Sequence, residues 1–259
     1  MDNSTSAPAA ATRIRRFLPY WAVLRADLRQ TLRSWVYLVW VFVSVLGAAG
    51  YLLFRVGVQH EAGMIQPASR LVSDLLRWCV LGGVTLIIAL AGGSISAERG
   101  TLADSVLSRG ISRYQYFFAK WHARLAAVLG TFLVMGLIAL AGGYIFLQAD
   151  LSLRGSLVAL TTIIAILAVV TTCSVAVSAI VNSTMLGVTV LWILLYGVGF
   201  ALILLPTRYP APDRLLKCLP LTLQGQFDFQ MLLRLISCSA IGSAVAALFG
   251  VAYFARRDI

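Results

Sequence analysis

The sequence predicts an all-α integral membrane protein with six transmembrane helices. Hydrophobic residues make up 60% of the 259 residues and charged residues only 12%, whereas soluble domains carry about 25% charged residues. The mean hydropathy of the chain is +0.88. Apolar runs recur along it, each long enough to cross about 30 Å of hydrocarbon at about 1.5 Å per residue. The predicted spans are 34–54, 78–97, 121–147, 156–181, 185–205 and 234–255.

Residues 1–33 are predicted to form a cytoplasmic tail and an interfacial helix, ahead of a transmembrane domain over 34–259. Pro19 is a favoured first helical residue. After it a row of leucines and a row of arginines repeat every four residues, which is typical of a helix lying in the membrane interface. The alternative is that these residues are the first turns of the next span. The arginines expected to reach lipid phosphates are Arg25, Arg29 and Arg33.

The interval 155–207 contains no charged residue and is too long for a single span. Asn182, Ser183 and Thr184 form a polar break near its middle. The sequence therefore predicts a tight helical hairpin, with spans 156–181 and 185–205 as its two arms.

The basic residues predict the orientation, because cytoplasmic loops carry an excess of lysine and arginine. Placing both termini in the cytoplasm puts 13 basic residues on that side and 8 on the other, out of 21. The cytoplasmic set is Arg13, Arg15, Arg16, Arg25, Arg29, Arg33, Arg99, Arg109, Arg113, Lys120, Arg124, Arg256 and Arg257. The opposite set is Arg55, Arg70, Arg77, Arg154, Arg208, Arg214, Lys217 and Arg234.

The loop 206–233, before the last span, combines prolines with leucines. Prolines break helices, while leucines favour burial. Short re-entrant helices shielded by neighbouring protein satisfy both demands. An external loop folded over the bundle satisfies them as well.

Several functions find no support in the sequence. No ionisable residue lies near the middle of a predicted span, which weighs against a proton-driven carrier and an intramembrane enzyme. The four cysteines and two histidines show no metal-ligand spacing. The net charge of +11 gathers at the ends of apolar runs, which is not the pattern of a nucleic-acid-binding face. The phosphate-binding motif GxxxxGK[ST] is missing, so ATP hydrolysis would have to occur on another chain.

The interval from 96 to 120 is the one long charged stretch between two uncharged apolar runs. Thr101 to Asp104 and Ser112 to Gln115 both have the spacing of a helix capping box. Ser108, Arg109 and Gly110 between them read as a helix stop. The pattern predicts a short surface helix, a turn, and a second helix that continues into the membrane.

Hydroxyl side chains cluster in the fourth and fifth spans. In membrane helices such groups usually bond to their own backbone or to a neighbouring helix, which favours packing over a role in lining a substrate pathway. Both interpretations stay open at this point. The residues concerned are Thr171, Thr172, Ser174, Ser178 and Tyr196.

The stretch Glu98-Arg99-Gly100-Thr101-Leu102, with Ser112-Arg113 and Lys120, resembles the membrane subunits of type-2 ATP-binding-cassette (ABC) transporters. In that family a pattern of the kind E-x-G-T-L, a short helix, Ser-Arg and a lysine follow the second span. The six-span layout and the basic end are similar as well. One departure is Arg109-Gly110, where many members have a proline before the Ser-Arg turn.

The resemblance implies a permease subunit, favouring an exporter, in a bacterial inner membrane. It would pair with a second permease subunit, usually an identical copy, and with two ABC ATPase subunits that bind the ATP and magnesium. The chain itself would hold no cofactor or metal and would not be an enzyme. The implied coupling helix, which would dock on the ATPase, consists of Glu98, Arg99, Gly100, Thr101, Leu102, Asp104, Val106 and Leu107.

Two other functions remain as alternatives from the residues. One is a secondary carrier or channel that works without an ATPase. The other is a membrane anchor or scaffold for a different complex.

Overall fold

A computed structural model describes residues 18–62, 67–91, 94–95, 111–146, 150–204 and 211–256. These residues form helices, and no strand occurs among them. The helices are α1 (Leu18–Arg33), α2 (Trp35–Ala62), α3 (Ala68–Ala91), α4 (Arg113–Phe146), α5 (Leu153–Ile180), α6 (Thr184–Leu204), α7 (Pro212–Leu223) and α8 (Phe229–Arg256). Six of them are long and apolar enough to cross a membrane, namely α2, α3, α4, α5, α6 and α8. The predicted fold class is confirmed at this level.

The core lies where α3, α4 and α5 meet. α5 also contacts α6, α7 and α8, while α1 lies along α4. α2 and α6 bury little of their surface within the chain, as expected for helices with lipid on one side. The largest fully buried side chains of the core include Leu76, Ile87, Phe117, Ile163 and Leu167.

Two predicted span boundaries differ from the helix ends: the first span was expected to end at 54, whereas α2 runs to Ala62, and the second was expected to begin later than α3 does. The second span was expected to begin at 78, whereas α3 begins at Ala68, so most of the predicted loop 55–77 is helical. Two polar residues of this stretch, Asp74 and Arg77, have partners within the helix or on a neighbouring helix. Asp74 forms an ion pair with Arg77 at 3.5 Å, and Arg77 Nε donates to the Leu216 carbonyl at 2.9 Å.

The third span was predicted at 121–147, within a helix predicted to start at the Ser112 capping box and to continue into the membrane. α4 begins at Arg113 and has 34 residues, which confirms that start. At about 1.5 Å per residue it is about 51 Å long, whereas a bilayer with its headgroups is about 40–45 Å thick. Since about 20 residues span the hydrocarbon, part of α4 extends beyond it.

The predicted hairpin is confirmed. α5 ends at Ile180 and α6 begins at Thr184, so the turn between them occupies the predicted polar residues. Val181 N still donates to the Val177 carbonyl at 2.9 Å, and extended backbone at Val181 then turns the chain out of the helix.

At the opposite end of the bundle, the proline- and leucine-rich loop contains α7, which contacts α3 and α5. Leu219 and Leu223 of α7 are buried in the core. Asp150 ties this end together, since it accepts hydrogen bonds from Ser69 N at 3.0 Å, Ser69 Oγ at 2.6 Å and Gln224 Nε2 at 3.3 Å. A helix folded against the bundle fits either predicted arrangement of 206–233.

Candidate functional site

A buried group of charged and polar residues joins α1, α4 and the turn that follows α3. We name it the Asp27 cluster; its members are Asp27, Thr31, Ser94, Lys120 and Arg124. Each member exposes 8% or less of its surface. Charged groups are buried in proteins only when they are paired, so the contacts within this cluster define how the three segments are held.

Asp27 bonds to both cations. Its Oδ1 lies 3.3 Å from Lys120 Nζ and 3.4 Å from Arg124 Nη2. Arg124 Nη1 donates to Thr31 Oγ1 at 2.7 Å, and Thr31 Oγ1 donates back to the Asp27 carbonyl at 2.8 Å. α1 is therefore attached to α4 by directional bonds at two successive turns and cannot slide along it without breaking them.

Lys120 extends the cluster to the end of the second span. Its Nζ donates to the Ser94 carbonyl at 3.0 Å, while the same ammonium contacts Asp27. The ammonium also lies 5.4 Å from the centre of the Tyr116 ring, within the range of a cation–π contact. One side chain therefore links α1, α4 and the point where the chain leaves α3.

Both ends of the interval 96–110 are anchored in the core. At one end Ile95 is 2% exposed and its backbone N–H donates to Ser178 Oγ at 2.9 Å. At the other end Ile111 packs against the core cluster. Ser112 then caps α4, since Gln115 N donates to Ser112 Oγ at 3.2 Å and Ser112 N to Gln115 Oε1 at 3.4 Å. This confirms the second predicted capping box.

The interval itself lies outside the described residues. The predicted coupling helix, Glu98 to Leu107, is therefore neither placed nor contradicted, and neither is the first capping box, Thr101 to Asp104. The structure describes the residues on either side of this interval, Ile95 before it and Ile111 after it.

The predicted interfacial helix exists as α1, and its three arginines, Arg25, Arg29 and Arg33, are exposed. Trp21, on the same helix, is 61% exposed. Exposed arginine and tryptophan side chains are typical of residues at a membrane interface. The location of α1 in that interface stays a prediction.

Aromatic rings surround the start of α4 beside α1. Tyr20 packs edge-on against both Trp21 and His122, with ring centres 5.9 and 6.1 Å apart. Desolvation by burial raises the pKa of the Tyr20 phenol above its ordinary value.

The hydroxyl groups predicted in α5 are buried. Thr171 and Thr172 donate to carbonyls of their own helix at 2.7 Å, and Thr172 also accepts from Trp121 Nε1 at 3.0 Å. Ser178 holds Ile95, as described above. Ser174 is also buried, whereas Tyr196 on α6 is 67% exposed and stacks on Trp192. These are packing contacts, and a role in a substrate pathway stays a prediction.

Asp27 and Thr31 were missed from the sequence, although a signal was present. Asp27 is the one acidic residue of α1, and it lies in the row of Leu24, Leu28 and Thr31 on the face that the helix buries. An acid on the apolar face of an arginine-rich helix indicates a buried partner cation. Lys120 was noted in the sequence as a basic residue of the cytoplasmic side and as part of the family motif, but not as a partner of Asp27.

The described residues contain no group of three or more histidine, cysteine or acidic side chains that could hold a metal ion. No protein-family model and no curated protein sequence matches the chain. What the protein does must therefore be inferred from its residues and their geometry.

Proposed function

We propose that this chain is the permease subunit of an ABC transporter, acting as an exporter in a bacterial inner membrane. Two copies form the substrate pathway, and two ATPase subunits on separate chains supply the energy. Both termini and the interval 96–110 face the cytosol, and 96–110 contains the helix that docks on the ATPase.

The observation that carries this proposal is the anchoring of 96–110. A docking helix transmits a rigid-body movement only if its attachment points do not yield. Here one attachment point, Ile95, is buried and hydrogen-bonded to α5, and the other is the capped start of α4. A displacement of the interval would therefore move α3, α4 and α5 together.

The Asp27 cluster adds α1 to the same rigid unit. Because Lys120 bonds to both the Ser94 carbonyl and Asp27, a force applied at the end of α3 reaches α1 through one side chain. α1 would then move along the membrane surface together with the docking helix. In this arrangement a cytosolic ATPase can move the transmembrane helices, and no ionisable group is needed in the middle of a span.

The charge pattern on α1 and on α4 also supports this orientation. The exposed arginines of α1 and the first turns of α4 lie at the same end of the bundle, since the Asp27 cluster joins these two segments. Such a basic end is expected on the cytoplasmic side, next to anionic lipid.

The proposal is tested by substitutions within the interval 96–110. Glu98→Arg should reverse the charge presented to the ATPase, and Gly100→Pro should misdirect the start of the docking helix. We expect each variant to lower transport-coupled ATPase activity in proteoliposomes about tenfold or more, without loss of membrane insertion; tenfold corresponds to about 1.4 kcal/mol of coupling.

A matched charge reversal is Asp213→Arg, because Asp213 is an exposed acid on α7, at the opposite end of the bundle. We expect this control to keep normal coupling. Normal coupling in both Glu98→Arg and Gly100→Pro would contradict the proposal. Substrate flux without ATP and without a second chain would instead support a carrier.

A further inference from the structure

Two aromatic side chains of α6, Trp192 and Tyr196, have no hydrogen-bond partner among the residues that the structure describes. Trp192 is 39% exposed and Tyr196 is 67% exposed. Their rings stack with centres 5.0 Å apart and planes inclined by 10°. The indole N–H can only donate a hydrogen bond, whereas the phenol can donate and accept. We name these two residues the α6 ring pair.

The α6 ring pair lies at the middle of the bilayer. α6 has 21 residues and rises about 30 Å, which equals the thickness of the hydrocarbon core. Trp192 and Tyr196 lie about 12 and 18 Å along the helix from its first residue, so each is about 3 Å from the middle. The interval 155–207 contains no charged residue that would draw either ring towards the headgroups. Tryptophan and tyrosine are otherwise concentrated at the two membrane interfaces.

Comparable aromatic side chains on α2 are bonded within the chain. α2 also buries little of its surface, yet Tyr37 OH bonds to Thr131 Oγ1 at 2.7 Å. Trp40 Nε1 donates to the Gly82 carbonyl at 3.0 Å. An outer position in the bundle therefore does not by itself leave a ring without a partner. The α6 ring pair differs, which indicates a partner outside this copy of the chain.

The surroundings of the ring pair indicate what that partner is. Acyl chains offer no donor or acceptor, and a polar group without a hydrogen bond is unfavourable in hydrocarbon. Water would satisfy both atoms, but the exposed neighbours on the same face of α6, Met185, Ile193 and Phe200, are apolar. An apolar face with a few hydrogen-bonding groups is typical of a contact between two membrane helices.

We propose that α6 packs against α6 of a second copy of this chain, with the α6 ring pair at the centre of the contact. A twofold axis along the membrane normal brings the same residues of two copies together at the same depth. Each Trp192 N–H then donates to the Tyr196 hydroxyl of the other copy. An unrelated protein would need its own donor and acceptor at this depth, whereas a second copy supplies both by symmetry. The proposal rests on the second copy in the proposed function and on no other part of it.

The first test measures dimerisation of the purified full chain by native mass spectrometry over a concentration series in one mild detergent. Tyr196→Phe and Trp192→Phe each remove a polar atom and keep an aromatic ring. Each change removes two hydrogen bonds from a twofold contact, so we expect the dissociation constant of the dimer to rise about fivefold or more. The matched controls are Tyr114→Phe and Trp78→Phe, which make the same changes at exposed residues of α4 and α3. Both controls should keep the wild-type dissociation constant.

The second test compares disulfide formation at two exposed positions of α6 in native membranes. Val198 is exposed like Tyr196, but it lies two residues further on and so about 200° around the helix. We expect Tyr196→Cys to form a disulfide-linked dimer under mild oxidation and Val198→Cys to remain monomeric. Both variants are made after alanine has replaced the four native cysteines, Cys79, Cys173, Cys218 and Cys238.

Three results would overturn the proposal. They are a wild-type chain that stays monomeric, a dimer whose dissociation constant is unchanged in both ring variants, and equal disulfide yields at 196 and 198. An unchanged dimer leaves the second copy of the proposed function in place, so failure of this contact is distinguished from failure of that function. A dimer weakened by both ring variants supports the contact even if no ATPase binds the chain.

Discussion

Replacing Asp27 with alanine is expected to lower the free energy of unfolding by about 3–5 kcal/mol, the usual cost of removing one partner from a buried ion pair. Asp27 is 5% exposed and contacts both Lys120 and Arg124. Without its carboxylate, both cations lose this ion pair inside the protein. The change should appear as a lower midpoint of thermal unfolding in detergent and, under the proposed function, as weaker coupling to the proposed ATPase partner.

The matched control is Asp213→Ala, which removes an acid from an exposed pair with Lys217 at 2.7 Å. Exposed pairs contribute about 0–1 kcal/mol, so the unfolding midpoint of this variant should be close to that of the wild type.

A second comparison replaces Asp27, Lys120 and Arg124 together by leucine or methionine. Apolar replacement of buried ions often restores stability, so a stable triple variant that remains uncoupled would separate the mechanical role of the cluster from its contribution to folding. Unchanged stability in Asp27→Ala would contradict its place in the structure.

Gly155→Ala is expected to destabilise the protein by about 1–3 kcal/mol, the usual cost of overpacking. Gly155 lies in the first turn of α5, where the end of α7 comes closest. A Cβ at Gly155 would lie 2.8 Å from the Leu223 carbonyl oxygen and would also overlap the Thr222 carbonyl. Backbone cannot rotate away as a side chain can, so α7 would have to shift and the bond from Ser152 N to the Leu223 carbonyl would weaken.

Gly197→Ala makes the same change in α6, where a Cβ meets nothing within 4 Å. Since alanine is the better helix former, this control should be neutral or slightly stabilising. Thermal unfolding of the two variants, followed by circular dichroism in one detergent, makes the comparison. Equal midpoints would show that α7 does not pack on α5 as described.

The helix layout could be predicted because it follows from local rules. Uninterrupted apolar runs mark spans, and the polar break at 182–184 marks the hairpin turn. The capping box at Ser112 was predicted from the spacing of Ser112 and Gln115 alone. In each case the determining residues lie within a few positions of one another.

Long-range partners account for what was missed. Arg77 looked like a loop residue because its acceptor, the Leu216 carbonyl, lies 139 positions away in the chain. Asp27 was overlooked because its partners lie 93 and 97 positions away. A local pattern cannot show whether a polar residue is exposed or is satisfied by a distant segment, so both errors concern polar groups with distant partners.

The central claim is that a separate ATPase moves this bundle from the cytosol through residues 96–110. The most direct measurement places a photo-crosslinking amino acid at Leu102 and irradiates intact membranes with and without ATP. The account predicts an adduct with a second chain that carries GxxxxGK[ST], and a change in its yield when ATP is present. Crosslinks to no such chain, together with labelling of position 102 by impermeant reagents added outside the cell, would contradict it.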